Sequence, residues 1–210
     1  MRGGLSNVRR DGVVAARELA PTYVSATGWH MESVAGRFVE VTGGADSAGL
    51  TAATALVLEV QKQGDLAVWI DGRRSTFFPP DLAASGVDLA ALPVVQVDEE
   101  AQAWQAADTL LHSGAFALVV LDLAGPIAVA TAMQTRLVGL AKKHHTTLLA
   151  VTRNTHGKPT PGSLVSLRGE TSKHRVDHNC FLWELHVSKD KRRTPGWRHS
   201  EICRGPDGLC

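Results

Sequence analysis

The chain has 210 residues, of which 44% are hydrophobic and 20% charged, and its formal net charge is +1. That composition suits one globular domain with a core of its own and excludes a disordered or fibrous chain. A balance so near zero also excludes a global field drawing the molecule to nucleic acid or membrane, so any such preference must come from a local patch.

In chain order, residues 1–30 are irregular, punctuated by Gly3, Gly4, Pro21 and Gly28, with at most a short helix across Val13 to Leu19. Nothing near Met1 resembles the apolar region of a signal peptide. No run reaches the roughly 18 apolar residues of a membrane span. Cys180, Cys203 and Cys210 are an odd, crowded set, which fits a reducing compartment better than a disulfide framework. A cytoplasmic protein is the expectation.

From Gly36 the pattern sharpens. Arg37 to Val41 reads as a strand, Thr42-Gly43-Gly44 as a turn, and Thr51 to Val60 as a helix closed by Gly64. Leu66 to Ile70 is a second strand, Leu82 to Ser85 a helical turn, and Val94 to Val97 a third strand. Glu99 to His112 has helical spacing. Phe116 to Asp122 is a continuous apolar run ending in an acid, as expected of a parallel strand buried on both faces. Ile127 to Lys143 is a predicted helix and Thr146 to Thr152 another buried strand. Strands alternating with helices predict an α/β domain, a mostly parallel sheet flanked by helices. Beyond Asn154 the character changes: Phe181 to Val187 alternates and is expected to pair antiparallel with Leu164 to Leu167. Residues 189–210 are expected to be a basic, flexible tail.

The strand, glycine turn and helix make up the setting of a phosphate-binding loop, where turn amides and the positive end of the helix dipole cradle an anion. The motif is G-x-x-x-x-G-K-[ST]. Here it reads Gly44-Ala45-Asp46-Ser47-Ala48-Gly49-Leu50-Thr51. Both glycines and Thr51 keep the spacing, but Leu50 stands where lysine would reach the outer phosphates, and Asp46 adds a negative charge. Asp122, ending a buried strand, fits the acid on the magnesium side of such a site. A glycine-rich turn that never held nucleotide would account for the same residues.

Several ordered segments carry a resemblance. Gly36-Arg37-Phe38-Val39-Glu40-Val41 before the loop, Val68-Trp69-Ile70-Asp71-Gly72, Ser85-Gly86-Val87-Asp88-Leu89, and Ser113 to Asp122 together resemble the RecA family, over roughly Gly36 to Val187. The resemblance implies a RecA-like core over 31–188, with antiparallel C-terminal strands. It also places the family's γ-phosphate sensor on Asn154. The departures matter as much. Arg73 stands near the place of the water-activating glutamate, the segments after Asp122 and Asn154 are short, and no long N-terminal helix for filament packing is visible. A RecA-like chain with these losses resembles the ImuA group of the SOS response to DNA damage. That group accompanies an ImuB-like Y-family polymerase homologue in translesion synthesis and mutagenesis. The resemblance therefore implies a non-catalytic pseudo-ATPase with no ATP or magnesium cofactor, whose partners are the ImuB-like protein, RecA and DNA. A weak ATPase related to the recombinases and a SulA-like inhibitor of cell division are the alternatives.

Between Arg153 and Arg204 the sequence holds eleven Lys or Arg against five Asp or Glu. Lys189, Lys191, Arg192 and Arg193, with Trp197 and Arg198 close by, combine cations and an aromatic in the way single-stranded nucleic acid favours. A solvated tail would have the same composition. His174, His178, Cys180 and Cys203 match no common zinc spacing, and no metal is expected.

Overall fold

The computed structural model describes residues 28–72, 77–123, 129–153, 162–178 and 180–204. The predicted helix across 13–19, Arg73, Asn154 and Cys210 lie outside the described residues. Short helix α1 (Met31–Val34) leads into β1 (Phe38–Gly43) and then α2 (Gly49–Lys62). Next come β2 (Ala67–Asp71), α3 (Pro79–Ala84), a 3-10 turn (Leu89–Ala91) and β3 (Val94–Gln96). The rest is α4 (Glu100–Ser113), β4 (Leu118–Leu123), α5 (Thr131–His144), β5 (Thr147–Arg153), β6 (Leu167–Asp177), β7 (Cys180–Asp190) and β8 (Arg198–Arg204).

All eight strands form one sheet in the order β3-β2-β4-β5-β1-β6-β7-β8. Every pairing from β3 to β6 is parallel, whereas β6 with β7 and β7 with β8 are antiparallel. The architecture is thus the α/β one read from the sequence. The period of two sorts each strand's side chains between two cores. Val39, Val41, Trp69, Val120, Leu149 and Val151 face α2. Phe38, Val68, Ile70, Leu121, Leu148 and Ala150 face α4 and α5. The continuous apolar runs seen in the sequence follow from burial of the parallel strands on both faces.

Two expectations for the C-terminal part are corrected. The antiparallel partner of β7 is β6, with Thr171 opposite Leu185 and Lys173 opposite Trp183, rather than Leu164 to Leu167. The core face of β6 carries Leu167, Gly169 and Thr171, so small and polar residues hide its alternation. Of the tail expected to be flexible, residues 198–204 also belong to the sheet. Asp190 closes β7, and residues 198–204 add β8 along its edge, Leu185 opposite His199 and Trp183 opposite Glu201.

The anchor of this region is a buried ion pair. The Arg37 guanidinium reaches Asp190 at 2.6 Å, with the two side chains 2% and 0% exposed. Arg37 also donates to the Ser33 and Ser166 carbonyls and the Ser166 hydroxyl. Asp190 accepts from the Arg192 amide and from the Trp197 indole Nε1. Every polar group of the pair is therefore partnered, which burying two charges demands. A second pair, Glu40 with Arg168 at 2.6 Å, joins β1 to β6 on the opposite face.

Candidate functional site

The glycine loop lies where the sequence places it, between the carboxyl end of β1 and the first turn of α2. Ala45 and Asp46 are exposed and Ser47 is half-buried. The second glycine of the motif, Gly49, is the first helical residue. A Cβ there would come within 2.9 Å of Val151 Cγ1, so its role is close approach to β5. Gly43 is tighter: a Cβ would meet the Thr171 carbonyl oxygen at 2.6 Å and Ser47 Oγ at 2.5 Å. Gly44, the first glycine of the motif, has nothing within 4 Å of such a position. Gly43→Ala is therefore expected to cost about 1–3 kcal/mol by overpacking, and Gly44→Ala less than about 0.5 kcal/mol. Urea unfolding of the two variants side by side checks the contrast.

Hydrogen bonds fasten the loop to β6 in a directional chain. The Gly49 amide donates to Ser47 Oγ at 3.1 Å, and Thr171 Oγ1 donates to the Thr42 carbonyl at 3.1 Å. Since the Thr171 hydroxyl has one proton and spends it there, Ser47 is the donor in the 3.1 Å contact between the two hydroxyls. The Lys173 amide holds the Asp46 carbonyl at 2.8 Å. One amide that a phosphate-binding loop would offer to an anion is thus directed to the loop's own serine.

Leu50 is half-buried and packs against the core cluster on the α2 face. Thr51 is also half-buried. Asp122, 5% exposed, stands beside Asp71 on one side and Val151 on the other, and Val151 beside Val41. Side chains in that row share the α2 face, so the fold brings Asp122 to the same end and face of the sheet as the glycine loop. Asn154 lies outside the described residues. Against the loop is a depression of about 300 Å³ lined by Thr42, Gly43, Gly44, Glu170, Thr171, Ser172 and His186. Its lining includes one carboxylate and no Lys or Arg. Thr42 Oγ1, buried beside it, has no hydrogen-bond partner among the described residues.

The basic residues singled out from the sequence are not next to this loop. β7 runs antiparallel to β6, so Lys189, Lys191, Arg192 and Arg193 gather where β1 begins, at the opposite end of the sheet. Most of them hold structure together. Lys189 Nζ donates to the Ser163 carbonyl, Lys191 Nζ to that of Leu164, and Arg192 to that of Ala35. Burial and then the neighbouring Lys191 hold the Lys189 ammonium below the ordinary lysine pKa. Trp197 is half-buried against the core with its indole tied to Asp190, which leaves little of its ring for stacking. Arg198 lies on β8 opposite His186, apart from the others.

A cluster that sequence reading missed lies beyond the carboxyl end of β1. Lys173 Nζ and the Arg175 guanidinium sit over the Phe181 ring, at 5.8 Å and 5.6 Å from its centroid. The alternation of Lys173 and Arg175 was its only signal, and it gains meaning only once β6 is known to pair with β7.

Residues 25–150 match the RecA N-terminal domain family. Among curated proteins, Protein RecA of Fusobacterium nucleatum subsp. nucleatum is 39% identical over 87 residues, covering 41% of this chain and 23% of that protein. Protein RecA of Kineococcus radiotolerans is 42% identical over 88 residues, 41% of this chain and 25% of the relative. Protein RecA of Rubrobacter xylanophilus is 41% identical over 87 residues, with 41% and 25% covered. The chain spans about a quarter of the length of these relatives.

Proposed function

Because the chain belongs to the RecA N-terminal domain family, we propose that it is a RecA-fold accessory protein of the DNA-damage response, used as a binding platform rather than as an ATPase. The observation that carries this reading is Leu50. In the position where the motif requires lysine, the chain has an apolar side chain packed on the core. A neutral group there supplies none of the charge that outer phosphates need. Asp46, exposed in the loop, makes the local field less favourable still to a polyphosphate. Internal use of the Gly49 amide agrees with this.

Within the family, the accessory reading follows the ImuA-like features of the sequence. The protein supports error-prone synthesis by holding an ImuB-like Y-family polymerase homologue, and it meets RecA and DNA in the same assembly. A residual ATPase is the second reading, favoured by Thr51 and Asp122 keeping the places that magnesium coordination requires.

Titration of fluorescent ATP with magnesium decides between them. The wild type is expected to show no binding up to about millimolar concentrations, equivalent to less than about 4 kcal/mol of binding free energy. Micromolar binding by the wild type would overturn the platform reading and favour the ATPase. Capture of an ImuB-like protein by the immobilised chain tests the partner, and failure of that capture would remove the accessory role.

A further inference from the structure

The geometry points to the open edge of β8 as a docking site for an extended segment of a partner protein, one carrying acids on either side of an apolar residue. This rests on the reading of the chain as a binding platform. β8 is the last strand of the sheet and pairs only with β7 among the described residues. The Val187 amide donates to the Trp197 carbonyl at 3.0 Å. Continuing the alternation of an antiparallel ladder from that bond turns the main-chain groups of 199, 201 and 203 toward β7. Those of Arg198, Ser200, Ile202 and Arg204 face outward, where an incoming strand would meet them.

The same four residues share one face of the sheet. All four are exposed, and Ile202, at 40%, is one of the few large apolar side chains left exposed among the described residues. An antiparallel strand laid along this edge would put one residue opposite each. Cross-strand pairing then favours acids opposite Arg198 and Arg204 and an apolar residue opposite Ile202. Main-chain hydrogen bonds give such a site its affinity and the alternating side chains its selectivity.

In the register that overlaps the whole of β8, a second copy of the chain fits less well. Two-fold pairing centred on Glu201 sets Glu201 against itself and Arg198 against Arg204, and like charges directly opposite are unfavourable. Those charges blunt self-pairing while leaving the edge available to a strand of opposite sign.

The test uses the full chain and a fluorescein-labelled seven-residue peptide. The peptide has glutamate first and seventh, valine third and threonine elsewhere. Anisotropy is expected to show binding, weakened at least about tenfold when both glutamates become lysine. N-methylation of the valine, which removes one main-chain donor, should weaken it comparably. In the double variant Arg198→Glu with Arg204→Glu the preference should reverse in favour of the lysine peptide. Because both positions are exposed, the variant is expected to fold, as checked by its urea midpoint. Equal binding of the two peptides, no binding of either, or an oligomer that the double variant dissolves would each overturn the docking site. The platform reading is judged apart from this: an ImuB-like protein captured equally by wild type and double variant leaves it standing while the β8 site falls.

Discussion

Asp190→Ala is expected to lower the stability of the folded chain by about 3–5 kcal/mol, the range for removing one partner of a buried ion pair. Arg37 would keep its hydrogen bonds to Ser33 and Ser166 but would hold a positive charge at 2% exposure with no carboxylate beside it. The Arg192 amide and the Trp197 indole would lose their acceptor as well. Urea unfolding gives the result directly, and a loss below about 1 kcal/mol would mean that Arg37 reaches water once its partner has gone.

The pH dependence follows from the same contacts. Burial by itself would raise the Asp190 pKa, but hydrogen bonds from the Arg192 amide, from Arg37 and from Trp197 outweigh it, and the carboxyl lies below its ordinary value. A carboxyl depressed in the folded state contributes stability above its unfolded pKa of about 3.9. That contribution disappears as pH falls below this value and through the folded one. Wild type should therefore lose stability in acid more steeply than Asp190→Asn, which has no charge to titrate. Parallel curves would show that the pair does not govern acid unfolding.

The second large effect is expected at Trp183. This ring is 1% exposed on the core face of β7, in the same cluster as Trp29, Val41 and Ala52, with the His199 ring of β8 tilted against it at 4.9 Å. Trp183→Ala should cost about 3–5 kcal/mol through lost burial and the cavity left behind. It should also release β8, because the inner face of that strand packs on this ring. Amide hydrogen exchange across 198–204 accelerating well before global unfolding would confirm the coupling. A loss of stability without faster exchange in β8 would show that the strand is held by its main-chain ladder alone.

The parallel half of the sheet was legible because burial on both faces leaves unbroken apolar runs such as Leu118 to Leu121, set off by turn residues and alternating with helical segments. The glycine loop was legible from spacing, since Gly49 has to lie close to Val151. The antiparallel half was not. β8 is a half-exposed edge strand whose residues Arg198, Ser200, Glu201 and Arg204 read like a solvated tail. The ion pair that pins it joins residues from opposite ends of the chain, Arg37 and Asp190, and no local pattern announces such a pairing. The same limit hid the hydroxyl chain from Ser47 to Thr171, because hydrogen-bonding residues that are distant in sequence carry no periodicity.

Strand order also governs how this protein can be made. Among the described strands β1 leaves the ribosome first, yet its neighbours are β5 and β6: Phe38 waits for Leu148, and Val39 for Leu167. Until both have been synthesised, this inner strand of the sheet has two unpaired edges and Phe38, Val39 and Val41 have no core to enter, so the nascent chain carries an aggregation-prone segment until then. Parallel pairing across such separations is slow to form. The yield of folded protein should therefore depend more on chaperone supply and elongation rate than on the stability of the finished fold.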